Sequence, residues 1–210
     1  KAADLAVRAR MINNAQSCIA AKRFLVMREI EEVFLEKIHE RLANLKVGDP
    51  MDEKVDIGPL ARVDLAEELE KQVMQSVAKG AQLICGGNRR NAFFDPTILT
   101  QVKPGMPAFD EELFGPVMSV ISVNSMEEAI ELNNQSDFGL GLSVITSNAP
   151  AVEKYIPQFD DGAVFINELV KSDPRLPFGG TKDSGYGREL SREGIREFVN
   201  VKTVYLKNKL

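Results

Sequence analysis

Three stretches of this sequence combine residue types that could do chemistry. The first is the thiol Cys18, which follows Asn13-Asn14-Ala15-Gln16-Ser17 and precedes Ile19-Ala20-Ala21-Lys22-Arg23. A free thiol ionises only near ~8.5, so a nucleophilic cysteine needs help from positive charge or backbone donors. Lys22 and Arg23 could supply that charge, although alternation along a strand turns one of them away. The alternative for Cys18 is a structural role, because free cysteines are among the most buried residues. Cys85 lies in the apolar run Leu83-Ile84-Cys85 and reads as a small core residue.

The second stretch is Glu111-Glu112-Leu113-Phe114-Gly115-Pro116, two carboxylates and an aromatic ring in a turn entering a strand. Carboxylates take hydrogen bonds from ribose hydroxyls in dinucleotide sites, and a ring beside them can pack on a flat ligand. The alternative is an acidic surface loop. The third stretch is the loop from Asn167 to Glu189, which holds Ser172, Phe178 and the glycines 179, 180, 185 and 187. A loop of roughly twenty residues inside a compact domain is often functional. It contains neither a Walker A pattern nor GxGxxG, so a phosphate cradle is not expected there.

Composition narrows the chemistry further. The 210 residues carry a net charge of −5, with 44% hydrophobic and 27% charged side chains, two cysteines and one histidine. These are ordinary globular values for one to one and a half domains. The acidic balance argues against a nucleic-acid surface. Four His or Cys ligands for a structural zinc are not available, so no metal site is expected. A His-dependent triad, such as a thiol hydrolase would use, rests on His39 alone, and His39 reads as part of a solvated helix face. A thiol, carboxylates, lysines and backbone groups are what remains. No apolar run approaches a membrane span. No signal peptide is visible at Lys1-Ala2-Ala3-Asp4, and two unpaired cysteines fit the cytoplasm. The start inside a helical pattern, without Met, is expected of a piece of something longer.

The elements that must position these residues alternate in period. A helix is expected over 2–13, with Ala2, Leu5, Ala6, Ala9 and Ile12 as its apolar stripe and an Asp4–Arg8 pair on the other face. A strand over 23–27, a helix over 29–45 and a helix ending at Lys79 follow. Strands over 81–85, 93–99 and 116–123 come next. Ser125 and Glu128 form a capping box that opens a helix through Asn134. A strand over 142–146, a helix over 149–159, a strand over 162–167 and a helix over 189–198 lead to a closing strand over 199–206. The alternation predicts one α/β domain with a largely parallel open sheet flanked by helices. The closing strand has nothing after it and is expected at an edge or against another subunit.

Asn14-Ala15-Gln16-Ser17-Cys18 resembles the nucleophile loop of the aldehyde dehydrogenase superfamily. Glu112-Leu113-Phe114-Gly115-Pro116 resembles that superfamily's cofactor-contact motif. Asn167, Pro177-Phe178-Gly179-Gly180, Lys182-Asp183-Ser184-Gly185 and Gly187-Arg188-Glu189 resemble its C-terminal signature. The stretch Lys171 to Pro177 and the following Gly-Tyr-Gly-Arg-Glu-Leu-Ser resemble its succinate-semialdehyde group.

The resemblance implies that residues 1–210 are the catalytic domain, with the NAD(P)-binding domain, the general-base glutamate and an oxyanion asparagine upstream. It implies that Cys18 attacks the aldehyde and passes through a thiohemiacetal and a thioester, and that its own N–H is one oxyanion donor. Glu112 would hold the nicotinamide ribose of NAD or NADP and Phe114 would pack beside the nicotinamide. Ser172 would meet the distal carboxylate of the substrate and Phe178 would line the substrate site. The fragment alone would be inactive, and residues 199–206 would serve a dimer or tetramer. The rival reading is a non-catalytic assembly module that pairs through 199–206. At three positions the sequence departs from the pattern. Ala15 stands where glycine is usual, which alanine can replace at negative φ. Ile12 stands where some succinate-semialdehyde enzymes carry arginine. Glu168 stands where glycine is common, and must point away from an acidic substrate.

Overall fold

A computed structural model describes residues 1–207. In chain order the elements are helix α1 (Ala2–Met11), strand β1 (Arg23–Met27), helices α2 (Glu31–Ala43) and α3 (Val63–Ala78), strands β2 (Gln82–Cys85), β3 (Arg89–Arg90), β4 (Phe93–Phe94) and β5 (Thr97–Thr100), and the short helix α4 (Pro107–Asp110). Strand β6 (Val117–Val123), helix α5 (Met126–Asn134) and strands β7 (Phe138–Gly139), β8 (Leu142–Val144), β9 (Val164–Ile166) and β10 (Thr181–Lys182) follow, then helix α6 (Ser191–Arg196).

The main sheet has the order β1-β6-β5-β2, with β1 and β5 parallel to β6 and β2 antiparallel to β5. The chain is thus α/β, with a mixed, mostly parallel sheet flanked by helices. Strand β6 is central and reads as a near-continuous apolar run because both its faces are covered. Alternation sends Val117 and Ile121 into one core with Leu69, Val73 and Leu99. Met118 and Val120 go into the other, with Val7, Ile38 and Leu42. Helix α3 buries Ala66, Leu69 and Val73 at helical spacing, and the chain turns at Gly80, whose φ of +107° suits glycine.

The cap of α5 differs slightly from expectation. Glu128 N–H donates to Ser125 Oγ at 3.1 Å, as a capping box requires. The reciprocal bond comes from Asn124 N–H, 2.6 Å from Glu128 Oε2, one residue before the usual partner. The stretch expected as a helix over 149–159 is a 3-10 helix, Ala149–Gln158, with Pro157 inside it. Proline lacks the N–H that an α-helical bond needs there.

One expectation is overturned. The face of α1 turned to the core carries Ala3, Val7 and Arg10, not the predicted stripe. Ala2, Leu5, Ala6 and Ala9 line a cavity of about 940 Å³ instead, and Ile12 is exposed. Residues 199–206 form no strand within the chain. Val199, Val201, Val204, Tyr205 and Leu206 are all exposed, and among the described residues no strand edge pairs with them.

Two strands that border the cavity each have an edge without a partner among the described residues. Strand β1 is an edge of the main sheet, and among the described residues β8 pairs only with β9, parallel to it. Phe24 to Met27 and Leu142 to Ile145 both line this space.

Candidate active site

Helix α1 ends in a run of left-handed residues, Asn13 at φ 49°, Asn14 at φ 55° and Ala15 at φ 61°. Asparagine tolerates this region, while alanine is strained in it. Ala15 therefore does not meet the condition of negative φ, and it is fully buried. The run turns the chain back sharply and is pinned from outside. Asn14 Oδ1 accepts from Gly58 N–H at 3.0 Å, and Gln16 Oε1 accepts from Ala61 N–H at 2.8 Å. Beyond it, Ala20 N–H closes on Ser17 O at 3.0 Å. Cys18 stands on that tight turn and is exposed, which removes the buried structural alternative. Its N–H has no acceptor among the described residues.

Two cations tie this turn to the second stretch. Lys22 Nζ lies 2.9 Å from Glu112 Oε1 and donates to the carbonyl of Cys18 at 3.4 Å. Arg10 is completely buried. Its Nη1 donates to Ala21 O at 3.3 Å, and its Nη2 donates to the carbonyl oxygens of Leu113 and Gly115. Burial pulls the guanidinium down to about 9, with the Glu112 carboxylate opposing the shift, so Arg10 stays charged at neutral pH. Arg23, the other cation beside Cys18 in sequence, packs over the Phe109 ring at 5.3 Å. Burial lowers its pKa as well, against the fields of Asp161 and Asp110. Of the two cations expected to serve the thiol, Lys22 is therefore the one bonded to the nucleophile turn.

Cys18, Glu112 and Phe178 line the 940 Å³ cavity together. Phe114 lies on the other side of the turn, half-buried, in a second cavity of about 540 Å³ with Asn13, Asn14 and Gln16. Ser172 is exposed and lines neither cavity. Beside it, Arg175 pairs with Asp173 at 2.6 Å and holds that carboxyl well below its usual range. Glu168 is exposed and paired with Lys171 at 3.2 Å.

The long loop is held by backbone contacts. Phe178 and Glu189 exchange backbone bonds of 2.9 and 2.8 Å. Gly162 packs so closely that a Cβ there would sit 1.9 Å from Gly179 O. Asn167, at φ 59°, accepts from Thr146 N–H at 2.8 Å through Oδ1. His39 is exposed on α2. Cys85 is half-buried, and burial pushes its thiol up. Among the described residues no group of three or more His, Cys, Asp or Glu is placed to hold a metal ion. No helix among them is long and apolar enough to cross a membrane.

Arg10 was missed as a site residue, although its spacing from Ala3 and Val7 is that of one helix face. The pairing of Lys22 with Glu112 has no local signal, because it joins segments far apart in sequence.

A thiol on a tight turn, tied through a lysine to a carboxylate loop where the adjacent strands β1 and β6 begin, points to a class. The chain belongs to the aldehyde dehydrogenase family, whose model matches residues 1–204. Within the family it is similar to a protein of Synechocystis sp. named "probable succinate-semialdehyde dehydrogenase, NADP(+)". The two are 49% identical over 98% of this chain and 46% of that protein. Succinate-semialdehyde dehydrogenase, NADP(+), 1 of Mycobacterium tuberculosis is 46% identical over 98% of this chain and 46% of its own. The structure of succinic semialdehyde dehydrogenase from Streptococcus pyogenes, in complex with NADP+, superposes with a TM-score of 0.94 at 35% identity. That match covers 99% of this chain and 46% of the solved one. The chain thus spans about half the length of the relatives it matches.

Proposed function

We propose that this chain is the nucleophile-bearing part of a dehydrogenase that uses NADP or NAD to oxidise an aldehyde, succinate semialdehyde, to its carboxylic acid. The observation that carries the reading is the joining of Cys18 to Glu112 through Lys22. One ammonium then joins the residue that carries an exposed thiol, by a hydrogen bond to its carbonyl, to a carboxylate fit for ribose hydroxyls, by an ion pair. The names of the relatives supply the substrate and the cofactor.

The residues present fit the ribose and nicotinamide end of such a cofactor. Glu112 Oε2 has no partner among the described residues and is free to accept from ribose hydroxyls. Phe114 offers a half-buried ring on the far side of the turn. When bound, the oxidised nicotinamide supplies the hydride acceptor. Cys18 adds as thiolate to the carbonyl carbon, and the developing alkoxide meets the unpaired Cys18 N–H. Loss of hydride converts the resulting thiohemiacetal to a thioester on Cys18. Water then releases the acid and restores the thiol. The general base for that water, and the grip on the rest of the cofactor, come from the portion of the relatives that this chain does not match. Phe178 lines the aldehyde side of the cavity, and Ser172 meets the distal carboxylate once the loop that carries it is packed in the whole enzyme.

Cys18→Ser in the full-length protein, assayed for NADPH and NADH production, abolishes turnover of the semialdehyde. Retained oxidation would defeat the assignment. The 210-residue chain by itself does not turn over, because the general base lies outside it. A second reading, a non-catalytic assembly module of the same fold, is favoured by the exposed apolar side chains of residues 199–206. Both readings place that segment on another copy of the chain, as a dimer or tetramer in the cytoplasm. An alkylating reagent separates them: Cys18 protected by the aldehyde marks the enzyme, and an inert Cys18 marks the module.

A further inference from the structure

Lys22 touches both halves of the site, with its ammonium on Glu112 Oε1 at 2.9 Å and on the Cys18 carbonyl at 3.4 Å. The Lys22 side chain is 23% exposed and that of Glu112 is 40% exposed. A carboxylate on a flexible stem in such a position has several rotamers, and fixing one of them costs entropy. Lys22 and the buried Arg10 are the cations that act on Glu112. Among the described residues only Lys22 is both ion-paired with that carboxylate and hydrogen-bonded to the residue that carries the thiol.

We propose that Lys22 is a positioning residue that presets Glu112 for the cofactor ribose and transmits occupancy of that carboxylate to the backbone of Cys18. The proposal rests on the aldehyde dehydrogenase reading given above. With Oε1 held by Lys22, Oε2 is left for the incoming diol. The same ammonium holds the peptide carbonyl that follows the nucleophile. A ribose that draws Glu112 toward itself therefore changes the pull on the Cys18 turn. Cofactor binding and exposure of the thiol become linked quantities, and linkage runs equally in both directions.

The test is a double-mutant cycle in the full-length protein, with NADPH and NADH as probes. Binding is followed by nucleotide fluorescence, and the rate of Cys18 alkylation by iodoacetamide is measured with and without nucleotide. Lys22→Met is expected to weaken nucleotide binding roughly fivefold, at the lower end of usual coupling between sites, and to abolish the effect of nucleotide on alkylation. Glu112→Gln does the same. The double variant binds no more weakly than Glu112→Gln alone, and Lys22→Arg recovers most of the wild-type response. Melting curves of each variant check the fold, and Lys22→Arg keeps the charge should Lys22→Met unfold. Additive losses, or a Lys22→Met protein that binds and responds as wild type, would overturn the inference. Absence of nucleotide binding by the wild-type protein would overturn the functional reading itself, and the inference with it.

Discussion

Arg10 donates its guanidinium to the backbone carbonyl of Leu113 across 103 positions of sequence. The same side chain reaches Gly115 O and Ala21 O. One buried side chain therefore sets the distance between the nucleophile turn and the Glu112 loop. Arg10→Met keeps the bulk and leaves these carbonyls without a donor. It is expected to cost about 3 kcal/mol in urea unfolding, since charged hydrogen bonds and orphaned acceptors each carry 1–3. A neutral result would mean that relief from burying the charge offsets the lost bonds.

Asp4 links α1 to α2, with Arg41 Nε at 2.5 Å. That hydrogen bond lowers the Asp4 carboxyl from 3.8 to about 2. A depressed acid stabilises the fold above its unfolded pKa and loses that contribution as pH falls through its folded one. The melting temperature of wild type is expected to exceed that of Asp4→Asn at pH 5, and the gap is expected to close as pH falls from 3.8 toward about 2. A gap that is constant over that range would sink the assignment.

Ala15 sets left-handed strain against burial. Ala15→Gly removes a backbone cost of about 1 kcal/mol. It also removes a buried methyl worth about 0.8 kcal/mol and frees the unfolded chain by roughly 0.4–1 kcal/mol. The change in stability is expected to stay within about 1 kcal/mol of zero, as the sum of these opposing effects. Ala15→Val puts a branched side chain at positive φ in a fully buried place and is expected to cost about 2 kcal/mol or more. Denaturant midpoints of the two variants decide, and equal midpoints would contradict the backbone argument.

The two thiols differ in access. Cys18 is exposed, whereas Cys85 is half-buried and pushed up by burial. Iodoacetamide at mildly alkaline pH is expected to modify Cys18 well before Cys85, as read by peptide mass mapping. Faster labelling of Cys85 would place the turn wrongly.

Periodicity made most of the secondary structure legible, because burial on one face leaves a local trace. Strand β6 and helices α2, α3 and α5 fall where it puts them. It failed on α1, where two apolar faces compete: Ala3 and Val7 are in the core, and the alanine stripe lines the cavity. The Asp4–Arg8 pair failed because α2 brings Arg41 to Asp4. The backbone of Ala15 was not legible, since pins far away in sequence, at Gly58 and Ala61, help to hold the turn. Motifs located Cys18 and Glu112, but nothing local says that a lysine and a buried arginine join them.

The bare edges of β1 and β8 divide the time scales on which this chain opens. Lys22 O accepts from Ser119 N–H at 3.3 Å, so the amides of Phe24 and Val26 turn toward β6 and those of Leu25 and Met27 toward the cavity. Leu142 N–H and Val144 O bond toward β9, which leaves Ser143 and Ile145 facing the cavity from the other side. In deuterated solvent these cavity-facing amides exchange early, while Val26 and the amides of β6 persist until the whole main sheet melts. The β8–β9 pair, which among the described residues shares no ladder with the main sheet, is expected to open as a separate cooperative unit with its own, smaller free energy.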